Sequence, residues 1–201
     1  KQTDIRTEFG AFKNSQVWFT VIMGVVGFGG MFSVYTYISW TMTEVAGMDQ
    51  SLIWVVLMAY GIGMTIGNAF GGWLADRNLE FGIIFALACL IVILTAFYFL
   101  SSHAVPATLC FGCVAFMGST LVPSLQLRLV HVAGDAQTLA AALNQSALNI
   151  ANAAGATIGG AVVGAGLGYS APALAGAALA AAGCLVWAAT MWDKKRLSRR
   201  A

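Results

Sequence analysis

Charged residues stop at Lys13 and do not return until Glu44; they are missing again from 50–75, 81–127 and 136–192. About 20 mainly apolar residues in a helix cross a hydrocarbon core about 30 Å thick. The first two charge-free stretches each hold one crossing, and the last two are each long enough for two. Both of these carry a break: Ser101, Ser102, His103 and Pro106 divide one, and Gly164, Gly166, Gly168 and Pro172 divide the other. The pattern predicts an all-α membrane protein with six spans, roughly 16–41, 51–74, 81–100, 106–129, 137–163 and 170–192. They form one six-helix bundle over 16–192, between a cytoplasmic linker at 1–15 and a basic cytoplasmic tail at 193–201. Only 9% of the 201 residues are charged, against about 25% in soluble domains. A lipid bilayer is therefore the expected surrounding. A net charge of +2 gives no reason to expect a nucleic-acid partner. The chain opens polar and with Lys1, without the apolar region of a signal peptide, and reads as a fragment or a processed chain.

The basic residues test the span count. Six spans put both termini on one side, with the turns near Asp76–Arg77 and Arg128–Asp135. Lys1, Arg6, Lys13, Arg77, Arg128, Lys194, Lys195, Arg196, Arg199 and Arg200 all fall there, while the opposite loops hold Glu44, Asp49 and His103. Basic residues mark the cytoplasmic side, so both termini are expected in the cytoplasm. Cys89, Cys110, Cys113 and Cys184 lie inside predicted spans and read as packing residues. The Cys110–Cys113 spacing lacks a second ligand pair, so neither metal nor cofactor is expected.

Gly63, Gly67 and Gly71 recur every fourth residue in the second span, and Gly155, Gly159, Gly160 and Gly164 stripe the fifth. Small stripes let helix backbones approach closely. The third and sixth spans are plain Leu, Ile, Phe and Ala, suited to the outside of a bundle. One mixed span, one glycine-striped span and one plain span, taken twice, predict a 3+3 inverted repeat.

Polar groups within spans point into a bundle or a wet cavity. Gln145, Asn149, Asn152 and Ala156 follow a 4-3-4 spacing and share one helix face, with Asn144 beside them. Such amides either hold an uncharged, oxygen-rich solute or tie helices together. In the first span Phe28 and Phe32 lie near mid-membrane and suit an apolar solute wall. Tyr37 reads as either wall or interfacial anchor, Trp40 as an anchor. Pro123 and Gln126 precede Arg128 in the fourth span, where a proline can bend the helix. No ionisable group sits mid-span, so a titrating proton carrier is not expected within these residues.

The run Gly71-Gly72-Trp73-Leu74-Ala75-Asp76-Arg77 resembles the Gly-x-Leu-Ala-Asp-Arg signature of the major facilitator superfamily. Its continuation, Asn78-Leu79-Glu80-Phe81, lacks the usual glycine and basic pair and resembles the degenerate second copy between helices eight and nine of twelve-helix members. Pro123–Arg128 resembles the end of helix ten. The stretch 142–160 is similar to helix eleven of the drug:proton antiporters, especially the arabinose-efflux-like and chloramphenicol exporters. One departure is Ser39-Trp40, where relatives often place a proline.

The resemblance implies the C-terminal six-helix half of a proton-coupled exporter of the bacterial inner membrane. It would rock against an N-terminal six-helix half and carry a small drug-like or sugar-like solute, with the proton-coupling acid in that other half. The resemblance implies that the first, second, fourth and fifth spans line the cavity, and solute contacts are expected from the residues at Phe28, Phe32, Tyr37, Gln126, Asn149 and Asn152. Gating is expected at Asp76, Arg77 and Arg128, with an acid at this edge pairing across the cytoplasmic gap. Helix packing is expected at Gly63, Gly67, Gly71, Gly155 and Gly159. The competing readings are a stand-alone six-helix scaffold or channel and an intramembrane protease. The protease lacks a Gly-x-Ser-Gly pattern, and His103 and His131 lie at membrane edges.

Overall fold

The computed structural model describes residues 14–198. Lys1, Arg6, Lys13, Arg199 and Arg200 of the expected basic cluster, and most of the expected linker, lie outside them. Within the described residues the chain forms α1 (Ser15–Trp40), α2 (Ile53–Leu100), α3 (Ala104–Ala133), α4 (Gln137–Val162) and α5 (Ala171–Ser198). π-turns extend α1 over Thr41–Val45 and α4 over Val163–Leu167, and a 3-10 turn, Gln50–Leu52, leads into α2. All five helices are long and apolar enough to cross a membrane.

α2 holds two of the predicted spans. Its 48 residues would reach about 72 Å if straight, more than twice a bilayer core. It is not straight: Asn78 leaves the helical region with φ −155° and ψ 90°. A β-carbon on Gly82 would lie 3.1 Å from Leu74 Cγ. Eight residues of straight helix advance about 12 Å, so the two limbs fold back on each other. The break falls just past Asp76–Arg77, where the sequence suggests a turn. Asn78 is the residue able to make it, because its side-chain oxygen accepts a hydrogen bond from the Phe81 amide at 3.1 Å. That contact caps the second limb as an N-cap does.

Helix ends elsewhere have similarly local causes. Asn14 caps α1 through the Gln16 amide at 3.0 Å, and Gly134, at φ 60°, ends α3. Gly166 and Gly168, at φ 80° and 86°, turn the chain between α4 and α5. α5 does not stop where the sequence suggests a tail begins; it runs through Lys194, Lys195 and Arg196 to Ser198, where cations suit the helix C-terminus.

Two small-residue seams set the packing. In the first limb of α2, β-carbons on Gly63 and Gly67 would overlap the Gly112 and Phe116 carbonyl oxygens of α3, and one on Gly71 would sit 2.5 Å from that of Thr120. In α4, a β-carbon on Gly155 would lie 2.5 Å from the Gly29 carbonyl oxygen, and one on Gly159 would lie 2.9 Å from that of Ser33. The buried face of α4 is a regular row, Ala140, Asn144, Ala147, Ala151, Gly155 and Gly159, laid against α1. The second limb of α2 buries Ile83, Leu87, Leu90, Leu94 and Phe97 and leaves Val92 and Phe99 on its outer surface.

Candidate functional site

α4 shows how a seam creates an opposite face. With its Ala/Gly row against α1, the residues half a turn away are turned outward. Gln145, Ser146, Asn149, Asn152 and Thr157 are all exposed. Amides do not sit comfortably against lipid tails, so this face addresses protein or water. Asn144, which the sequence sets beside them, points the other way and is buried at the α1 seam.

α1 borders that face. Tyr37 donates its hydroxyl to the Ala156 carbonyl at 3.2 Å, one turn beyond Asn152. Phe32, half-buried, lies so close to α4 that a β-carbon on Gly155 would be 2.9 Å from its own. The structure thus gathers Phe32, Tyr37, Asn149 and Asn152 along one α1–α4 boundary. Phe28 is elsewhere: it is fully buried in the core and has no surface to offer a solute. Gln126 is exposed on α3.

Three further exposed groups lie outside the solute contacts expected from sequence. Tyr35 packs at 4.9 Å on Tyr60 and at 6.4 Å on Phe111, ring centroid to centroid, which makes it a rigid aromatic platform. Thr65 and Asn68 are exposed on the first limb of α2, each hydrogen-bonded back to its own helix, at 2.9 and 3.0 Å. A shallow cavity of about 400 Å³ opens beside them over Met58, Gly61, Ile62, Thr65 and Ile66. Spacing alone hides such residues, because only packing decides which side of a helix is left open.

The basic end of the bundle holds a second constellation. Arg128, 1% exposed, pairs through Nη1 with Glu80 Oε1. Its Nε donates to Thr20 Oγ1 at 3.0 Å and its Nη2 to Gln16 Oε1 at 3.1 Å. Glu80 also accepts from Trp187 Nε1 at 3.0 Å and from Lys194 Nζ at 2.6 Å. Gln16 donates in turn to Asp193 at 2.8 Å, and Ser15 joins the same carboxylate at 2.9 Å. One network therefore joins α1, the start of the second limb of α2, the end of α3 and the end of α5.

Of the three expected gating residues, Arg128 lies in this network, while Asp76 and Arg77 are exposed. The Arg77 guanidinium stacks over Trp73, 4.1 Å from the ring centroid. Glu80 is the residue that sequence reasoning missed. Its signal was present: an acid stands where the signature has basic residues, at the same membrane edge as an otherwise unmatched Arg128.

Comparison with known proteins agrees with this architecture. The family model described as Major Facilitator Superfamily matches residues 20–201. An inner membrane transport protein of Escherichia coli, YdhP, is 35% identical over 83% of this chain and 43% of its own length. An uncharacterized MFS-type transporter of Bacillus subtilis, YfhI, is 34% identical over 90% of this chain and 46% of its own. A chloramphenicol resistance protein of Streptomyces lividans is 29% identical, with shares of 90% and 46%. The chain spans less than half the length of these relatives.

Proposed function

The chain belongs to the major facilitator superfamily, and from that membership we propose that it is the C-terminal half of a proton-coupled exporter. That membership favours a part of a membrane transporter over an enzyme. In the proposed reading, the six-span half rocks against an N-terminal six-helix half and exposes a central site to each side of the bacterial inner membrane in turn. The solute is small and drug-like or sugar-like; the chloramphenicol resistance protein favours the former.

The observation that carries this reading is the exposed amide face of α4 bordered by Phe32 and Tyr37. A membrane helix that turns Gln145, Asn149 and Asn152 outward needs something other than lipid to meet them. A partner half and a solute cavity supply it. Asn149 and Asn152 would hold the solute's polar groups, with Gln126, Phe32, Tyr37 and the Tyr35 platform around them.

The seams support six crossings in a 3+3 repeat. If the two limbs of α2 count as the second and third crossings, the second packs its glycines on the fourth, and the fifth packs its glycines on the first. Exchanging the two triplets carries one contact onto the other, which is what an inverted repeat does. Helix dimensions support the same count, since a folded-back α2 is the right length to cross twice. In this orientation both termini and the Glu80–Arg128 network are cytoplasmic, and Asp76 and Arg77 border the cytoplasmic gap as gating residues. Among the described residues the acids lie at helix ends, so the coupling acid is assigned to the other half.

The test uses inverted vesicles carrying the full transporter and an imposed pH gradient. Candidate drugs and pentoses are added, and gradient dissipation is followed. At least one solute is expected to dissipate the gradient, and Asn149→Ala with Asn152→Ala is expected to weaken the response about 10-fold or more. No response to any solute would overturn proton coupling; an unchanged response in the double variant would overturn the site.

A further inference from the structure

At the end of the bundle away from Arg128, α1 finishes, as α4 does, in a π-turn. Its last turn, Thr41–Val45, is a π-turn closed by the Ala46 amide on the Thr41 carbonyl at 3.1 Å. The Met48 amide then reaches the Met42 carbonyl at 2.9 Å across Gly47, at φ 65°. The widened turn leaves a cavity of about 380 Å³ lined by Ser39, Trp40, Thr43, Glu44, Met48 and Gln50. This cavity is separate from the α4 amide face and from the charged network.

Its chemistry is that of a cation site. Trp40 is half exposed, and its ring lies 6.1 Å from that of Tyr37, which α4 holds through the Ala156 carbonyl. The indole thus has an aromatic neighbour and keeps about half of its surface exposed. Glu44 supplies a carboxylate on the same wall and has no ion pair among the described residues. Thr43 spends its hydroxyl proton on the Ser39 carbonyl at 3.0 Å, which leaves its oxygen able only to accept. The negative end of the α1 dipole adds to this potential. None of the residues joining helices at this end, 41–52, 101–103 and 163–170, is Lys or Arg, and Asp49 stands close by in sequence.

We propose that this cavity binds an organic ammonium ion, held by the Glu44 carboxylate and the Trp40 face. A ring beside one carboxylate suits a large, weakly hydrated cation. A divalent metal would need several hard oxygen ligands, and no group of three or more potential metal ligands occurs among the described residues. Binding itself does not depend on transport. Only the assignment of the cavity to the outer mouth rests on the orientation proposed above.

The test is equilibrium binding of benzyltrimethylammonium to the purified full-length transporter in detergent. Wild-type protein is expected to bind it, with Kd raised about 10-fold or more by Glu44→Gln and by Trp40→Ala, and less by Trp40→Phe. Both sites of substitution are exposed, and a monodisperse elution profile confirms that each variant is folded. Asn149→Ala with Asn152→Ala is expected to leave Kd unchanged. No binding to wild type, wild-type Kd in both the Glu44 and Trp40 variants, or loss only in the asparagine variant would each overturn the proposal. Failure of the pH-gradient experiment alone would not, which keeps the two readings distinguishable.

Discussion

Arg128 is the largest fully buried side chain among the described residues, and its charge survives there because every direction is answered. Glu80 neutralises it, and Thr20 and Gln16 accept its remaining contacts. Removing one partner of a buried pair is far more costly than removing a surface one. Arg128→Ala is therefore expected to destabilise the full transporter by about 2–4 kcal/mol. Glu80 is partly relieved in that variant because it keeps Trp187 and Lys194. Lys194, 42% exposed, should matter little, with Lys194→Ala costing about 0–1 kcal/mol. Thermal melting of the two variants in the same detergent checks the contrast; equal shifts would mean that the pair is not shielded as the structure shows. Arg128 was recognisable in sequence as an important edge residue, but its partner was not. Glu80 and Arg128 are far apart along the chain, and only the α2–α3 hairpin brings them together.

At the scale of helices, the glycines of α2 do two different jobs that spacing alone does not separate. Gly67 meets the Phe116 backbone, which cannot swing aside as a side chain can; Gly61 has open space where a β-carbon would go. Gly67→Ala is expected to cost about 1–3 kcal/mol through overpacking. Gly61→Ala should be neutral or stabilise by up to about 1 kcal/mol, the ordinary gain in helix propensity. Melting of the full protein with each single substitution distinguishes them. Equal effects would refute a backbone-tight seam. The four-residue glycine spacing was readable because close helix approach demands small residues on one face. That α2's glycines seat on α3, and α4's on α1, was not readable, since any two small stripes are compatible until loops and neighbours choose between them. The same limit applied to Phe28. Its place near mid-membrane suggested a solute wall, yet the helix rotation that seats Gly29 and Gly30 against α4 and α5 turns Phe28 into the core.

For the whole molecule the decisive property is which ends share a side. With α2 folded at Asn78, the neighbourhood of Arg77 and the end of α5 lie together, since Lys194 reaches Glu80. Single cysteines placed at Arg77 and Arg196 in a background lacking the native cysteines should both be labelled from the cytoplasm. One at Gln50 should be labelled from outside. Membrane-impermeant maleimide applied to whole cells and to inverted vesicles reads this directly, and labelling of Arg77 and Arg196 positions from opposite sides would sink the six-crossing reading. The sequence by itself determined that this is an apolar, all-helical membrane chain and where its charge-free stretches lie. These follow from transfer free energies summed over many residues, and such sums do not depend on which helix neighbours which. Tertiary structure alone decided that Glu80 answers Arg128, that Phe28 is core, that Asn144 and Asn149 look in opposite directions, and that a cavity opens beside Trp40. Those outcomes depend on the rotation of each helix about its own axis, and rotation is set by close packing between segments distant in the chain.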